Sequence, residues 1–162
     1  MKNSAFKDHF SHNAKGYNKF RPDYPDKLFE YLTSLSPSEN LAWDCGTGSG
    51  QVAITLAKYF KKVIAIDASK KQLENAKHHE RVNYAAANAE KLPVRPNTID
   101  LITVAHSLHW FDSKSFFTEV ERVLKAKGII AVWTYNLLPI SPELDEIINK
   151  FYYEIVGCIK PL

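Results

Sequence analysis

The feature that most constrains this chain is a series of short apolar runs separated by stretches of helical period. "LAWDC" at 41–45, "VIAID" at 63–67 and "GIIAVWTY" at 128–135 are rich in Val, Ile and Ala and lack polar alternation. "IDLITVAHS" at 99–107 has the same character, and "VNYAA" at 82–86 is a weaker example. Such runs predict parallel strands covered on both faces. The segments between them carry apolar residues at helical spacing. Leu28, Tyr31, Leu32 and Leu35 form one stripe, and Val52, Ala53, Leu56, Ala57 and Phe60 a second. Phe116, Phe117, Val120, Val123 and Leu124 form a third, which Gly128 is expected to stop. Leu144, Ile147, Ile148, Phe151 and Ile155 form a fourth, with Pro142 near its start. "KKQLENAKHHER" reads as a solvated helix face. Strand–helix alternation predicts an open α/β sheet with right-handed crossovers. Ligands of such sheets bind beyond the carboxyl ends of the strands.

At 162 residues the chain is long enough for one domain with a proper core and short for two. Net charge is +3, with Lys and Arg spread along the chain, so no dense basic stripe points to nucleic acid. Cys45 and Cys158 lie far apart and show no metal-ligand spacing. They read as free thiols in a reducing cytosol. His9, His12, His78 and His79 offer no metal geometry, so no metal is expected. The N-terminus lacks the apolar run of a signal peptide, and no stretch is apolar enough to span a bilayer. The expected location is therefore cytoplasmic, with no membrane partner.

The chemistry gathers where the first strand meets glycines at every second position, "WDCGTGSGQ". A dinucleotide loop places glycine at its first, third and sixth positions. Counted from Gly46, the sixth is Gln51, so the third glycine is displaced. A Walker-type loop needs Lys followed by Ser or Thr, and neither follows here. Asp44 carries more weight than the spacing. A carboxylate there repels pyrophosphate and attracts an ammonium and a sulfonium, more strongly as water is excluded. Asp67 ends the next strand, where a carboxylate can bind both ribose hydroxyls. A ligand with ribose at one end, positive charge at the other and no phosphate is S-adenosylmethionine. A tight turn with no ligand is the competing reading of the glycines.

"WDCGTGSGQ", "VIAIDAS" and "ANAEKLPVRPNTIDLITVAHSLHWFD" resemble the main motifs of class I S-adenosylmethionine-dependent methyltransferases. "HSLHWFD" and "YNKFRPDYP" resemble the methyltransferase type 11 group that includes trans-aconitate-type enzymes. The resemblance covers roughly Phe6 to Tyr135 and implies a Rossmann-like three-layer sandwich. It implies two segments: an N-terminal cap and helix at 1–36, and a cofactor-binding domain at 37–162. It also implies roles. Backbone from Gly46 through Thr47 and Gly48 to Gly50 would line the methionine part, with Asp44 toward its ammonium. Asp67 would hold the ribose hydroxyls and Ala68 would lie against adenine. Asn88 stands where the family usually has an aspartate that receives the adenine amino group; its carbonyl can accept the same bond without charge. Ala89 would meet the adenine edge. Val104, Ala105 and His106 would floor the sulfonium. Tyr17 and Arg21 would close over the methionine carboxylate.

Methyl transfer from sulfonium is an in-line displacement from an activated leaving group, so alignment and exclusion of water are the main tasks. A carboxylate acceptor needs no base at neutral pH. A hydroxyl, amine or thiol can use one, and His109 is the candidate. The acceptor is expected to be a small molecule, with a carboxylate as one candidate. The resemblance implies a fold that ends in a hairpin beside its fifth strand; here "CIKPL" follows the last helix, and the hairpin is expected to be missing. The strand at 129–135 would then be an apolar edge, open to self-association, covered by the helix at 142–157, or a source of poor stability. A fragment that binds cofactor without catalysis is the rival reading. A nicotinamide-dependent oxidoreductase is a second, disfavoured by Asp44.

Overall fold

The computed structural model describes residues 24–134, 140–151 and 154. Tyr17 and Arg21 lie outside the described residues, as do Ile155 and Cys158. The described chain runs α1 (Asp26–Leu35), β1 (Leu41–Cys45), α2 (Gln51–Leu56), β2 (Lys62–Asp67), α3 (Lys70–Glu74), β3 (Val82–Ala86), β4 (Ile99–Ala105), α4 (Ser113–Val123), β5 (Leu124–Trp133) and α5 (Pro142–Lys150). The strands form one sheet in the order β3-β2-β1-β4-β5, and every pairing is parallel. β1 and β4 occupy the middle, which explains their uninterrupted apolar runs: all seven residues of β4 are buried.

Side chains alternate across the sheet and build two cores. On one face Ala42, Val63, Ala65 and Leu101 pack with Phe29 and Leu32 of α1 and Val52, Ala53 and Leu56 of α2. On the other, Trp43, Cys45, Ile66, Ile102 and Val104 pack with Phe116, Val120 and Val123 of α4. This is the expected Rossmann-like three-layer α/β sandwich, and α1 shares the core of the sheet. The second apolar stripe is wholly realised, since Val52, Ala53, Leu56, Ala57 and Phe60 are all buried.

Three local expectations are corrected. α4 ends at Val123, not Gly128, and Leu124 already has extended backbone and starts β5. The strand absorbs the transition in an irregularity of its pairing, with Lys127 at φ 65°. Gly128 is small for another reason: a β-carbon there would lie 2.8 Å from Leu124 Cγ. Secondly, "KKQLENAKHHER" is helical only from Lys70 to Glu74. Asn75 Nδ2 donates to the Lys71 carbonyl at 2.7 Å, and the Arg81 amide donates to His79 Nδ1 at 3.1 Å. These side-chain bonds replace helical ones with turns. Thirdly, β4 stops at Ala105 because His106 takes a left-handed backbone, φ 57°.

Two buried acids fasten loops at the margins of the sheet. Asp100 is fully buried and accepts Ser38 Oγ (2.7 Å), the Leu41 amide (2.9 Å) and Lys125 Nζ (2.7 Å), so it ties the entries of β1, β4 and β5. Glu119 accepts the Leu92 amide and pairs with Arg122, whose guanidinium also donates to the Leu92 and Val94 carbonyls. The "KLPV" segment is thereby held against α4.

β5 is an edge strand of the described sheet. The helix after it does not bury its apolar stripe: Leu144, Ile147 and Phe151 are exposed, as is Val132 on β5.

Candidate functional site

The carboxyl ends of β1, β2 and β4 converge on the glycine loop. Asp44, next to last in β1, is buried with its carboxylate among hydroxyls. Thr103 Oγ1 donates to one oxygen at 2.8 Å and Thr47 Oγ1 donates to the other. Burial is the main influence and pushes the carboxyl up to about 6; the two hydroxyls oppose it and the nearby charge of Asp67 adds to it. Cys45 beside it is a buried free thiol, raised well above its ordinary range chiefly by burial, and hence unreactive.

Asp67 ends β2 and reaches across to the loop after β1. Its Oδ2 accepts the Gly48 amide at 2.9 Å and its Oδ1 accepts the Ser69 amide at 2.8 Å. The Thr47 amide donates to the Ile66 carbonyl and the Gly50 amide to the Thr47 carbonyl, both at 2.9 Å. Three amides of the loop are thus committed internally, and the loop presents acid rather than a nest of donors. A phosphate cradle needs the opposite arrangement.

The glycines serve the fold as well as any ligand. Gly46, Gly48 and Gly50 all have positive φ, at 65°, 57° and 83°. A β-carbon on Gly46 would lie 2.6 Å from Ser107 Cβ, and one on Gly50 would lie 2.3 Å from the Tyr84 hydroxyl. The close visitors to this backbone therefore include two side chains of the chain itself. Tyr84 donates to the Lys77 carbonyl at 3.0 Å. Its phenol is pushed up to about 12 by burial and by Asp44.

A small cleft lies beside Asp44, lined by Tyr24, Gly46, Thr47, Gln51, Val52 and Ala105. Gln51 Oε1 is buried with no hydrogen-bond partner among the described residues, and the same holds for Ser69 Oγ and Gln72 Oε1 just past Asp67. Buried acceptors beside Asp44 suit a cationic donor, and a hydroxyl and an amide beside Asp67 suit a polar nucleoside. The donor set therefore fits an S-adenosyl compound.

Of the residues expected at the site, Asp44, Gly46, Thr47, Gly48, Gly50, Asp67 and Ala105 are brought together. Ala68 follows directly on β2 and is half-buried. The Ala87 amide donates to the Asp67 carbonyl at 3.1 Å, which carries the neighbouring Asn88, exposed, to the same strand end. Ala89 and Val104 are buried with their side chains in the α4-side core. His106 and His109 stand side by side with ring centroids 5.8 Å apart; His109 is exposed and contacts Trp110 at 4.8 Å. Sequence reasoning missed Tyr24, Gln51, Tyr84 and Thr103. Thr103 had a legible signal, a lone hydroxyl in an apolar strand two residues before its end. Tyr84 had none, because only the register Ala65↔Tyr84 brings it to the loop.

Residues 43–132 match the family described as "Methyltransferase domain", so the chain belongs to that family, the class I S-adenosylmethionine-dependent methyltransferases. A Dictyostelium discoideum protein named as a methyltransferase is 41% identical over 157 residues, 95% of this chain and 60% of that protein. A Saccharomyces cerevisiae protein named as an S-adenosylmethionine-dependent methyltransferase is 28% identical over 145 residues, 84% of this chain and 50% of that one. A solved methyltransferase structure from Anaeromyxobacter dehalogenans superposes with a TM-score of 0.79 at 37% identity, over 88% of this chain and 61% of that chain. The chain thus spans between half and about three fifths of the length of these relatives.

Proposed function

We propose that the chain binds S-adenosylmethionine where β1 and β2 end and transfers its methyl group to a small-molecule acceptor. The observation that carries this reading is the electrostatic sign of the loop: committed amides and two carboxylates. In this reading Asp44 and Gln51 receive the ammonium, and the backbone from Gly46 to Gly50 follows the methionine part. Asp67, whose carboxylate also accepts the Gly48 and Ser69 amides, takes the ribose hydroxyls. Ala68, Asn88 and Ala89 border adenine; Val104, Ala105 and His106 lie under the sulfonium; Tyr17 and Arg21 meet the methionine carboxylate. The bound cofactor supplies a methyl group on a leaving group already activated by its charge. The protein's own residues then align the acceptor and exclude water. His109 belongs to the wall on the acceptor side.

A carboxylate acceptor would enter against the charges of Asp44 and Asp67, so a neutral acceptor fits this site better. A reducing compartment, the cytoplasm, suits the buried free thiol of Cys45; among the described residues no helix is long and apolar enough to cross a membrane. Self-association along β5 is a further element of the proposal, supported by Val132, Leu144, Ile147 and Phe151 exposed on neighbouring segments. Light scattering on the eluting protein tests it: a dimer is expected, and a monomer at all concentrations contradicts it.

Calorimetry with S-adenosylhomocysteine and with NAD, followed by transfer of a labelled methyl group, tests the function. Binding of the first compound alone, with transfer, is expected. Binding without transfer to any acceptor would instead support the non-catalytic fragment. Binding of NAD alone would overturn both.

A further inference from the structure

We propose that Thr103 is a positioning residue for the cofactor: from β4 its hydroxyl holds the Asp44 carboxylate, ionised and fixed in direction, for the ammonium of the bound methionine part. The proposal deepens the methyltransferase reading above and rests on it.

Thr103 is fully buried in a strand whose residues are all buried. A buried hydroxyl costs stability unless it is bonded, and Val would fill nearly the same space at no such cost. The register shows what the hydroxyl does. Thr103 stands opposite Asp44 in the parallel pairing of β1 and β4, and its Oγ1 donates to Asp44 Oδ1 at 2.8 Å. It shares a face of the sheet with Ala105, two residues on, which lines the cleft. Thr103 lies one pleat deeper. It meets the carboxylate from behind, while Asp44 itself borders the cleft.

An ionised carboxylate only accepts, so the hydroxyl donates whenever Asp44 is charged. Bonds to a charged acceptor are about twice as strong as neutral ones. Thr103 therefore favours the charged form and one orientation of the side chain. Thr47 Oγ1 acts in the same way on Oδ2. Among the described residues, the other titratable groups around Asp44 do not take this part. Burial pushes its carboxyl up to about 6, and the charge of Asp67 on β2 pushes in the same direction. Cys45 on β1 and Tyr84 on β3 are themselves raised in part by the charge of Asp44. Tyr24 brings a phenol to the cleft. The Ala53 backbone on α2 is the weakest influence, behind both hydroxyls. Removing the Thr103 donor thus leaves a carboxylate that holds its proton to a higher pH and turns more freely about its side chain.

The test compares S-adenosylhomocysteine with its deamino analogue, in which hydrogen replaces the amino group, by calorimetry on the full chain. The parent should prefer the amino compound about 10- to 100-fold. Thr103→Val should weaken the amino compound about 10-fold at neutral pH and leave the deamino analogue within about twofold. Affinity for S-adenosylhomocysteine is lost as pH falls and Asp44 takes up its proton. The midpoint of that loss should move up by about one pH unit in Thr103→Val. Thr103→Ser keeps the hydroxyl and should restore both the preference and the profile. A role in packing alone would weaken both compounds alike and leave the profile in place. Equal weakening of the two compounds, or an unmoved profile, would overturn the proposal. If Thr103→Val does not fold, Thr103→Cys, whose thiol is a weak donor, is measured with the same expectations. Failure of the underlying reading is distinguishable and takes the proposal with it: the parent then binds neither compound, or both equally.

Discussion

Asp67 Oδ2 accepts the Gly48 amide at 2.9 Å, so the acid ending the second strand is bonded to the loop that follows the first. One residue thereby shapes the loop and presents charge at the proposed ribose position. Replacing Asp67 with Ala should release the Gly48 and Ser69 amides together. Bonds to a charged group are each worth about 1.5–3 kcal/mol, so affinity for S-adenosylhomocysteine should fall by about 10- to 100-fold in calorimetry. Asp67→Asn should fall between that variant and the parent, since it keeps one acceptor.

Asp44 sets stability against binding. Its native value, about 6, lies above the ordinary 3.8. The folded state therefore holds more protons than the unfolded state between those values. The stability so gained is fully present below pH 3.8 and is lost as pH rises through about 6. Asp44→Asn removes the buried charge while keeping an acceptor for one hydroxyl. At pH 8 the variant should unfold at higher denaturant concentration, by about 1–3 kcal/mol. It should also lose affinity for S-adenosylhomocysteine. In the parent, the same affinity should weaken as pH falls through 6.

Gly50 and Tyr84 form a steric pair. Gly50→Ala meets the Tyr84 hydroxyl and a φ of 83°. Left-handed backbone costs about 1–2 kcal/mol and overpacking about 1–3 kcal/mol. Thermal unfolding should show a loss of about 2–5 kcal/mol. Adding Tyr84→Ala should recover only the steric part, leaving the backbone part behind.

Asp100 is the structural counterpart at the opposite end of the sheet. Burial alone would raise its carboxyl, but bonds from Lys125, Ser38 and the Leu41 amide outweigh this and hold it below the ordinary range. Its contribution to stability is present above the ordinary carboxylate value and is lost as pH falls through the lowered native one. Lys125→Met leaves the charge buried without its partner and should cost about 3–5 kcal/mol. Binding of S-adenosylhomocysteine, measured below the transition, should be unchanged.

Legibility followed the physics of each feature. The predicted bounds of β1 and β3 coincide with those observed. The sheet's parallel character was legible in the apolar continuity of Ile99–Ala105. The end of α4 was not, because Leu124 suits a helix stripe and a strand equally well. At the site, Asp44 and Asp67 stood out as acids ending apolar strands. Gln51 did not, since its place beside Asp44 depends on how α2 packs against the sheet. The glycines were half legible: their spacing signalled a constrained turn, while Ser107 and Tyr84 as its neighbours are products of tertiary packing.

The most direct measurement is competition at the glycine loop, followed by calorimetry of the parent chain with S-adenosylhomocysteine, then with NAD added in excess, and the reverse. The account predicts a saturable heat for S-adenosylhomocysteine that NAD does not reduce and that Asp67→Ala weakens. Tight binding of NAD, displaced by neither S-adenosylhomocysteine nor the loss of the Asp67 carboxylate, would contradict it.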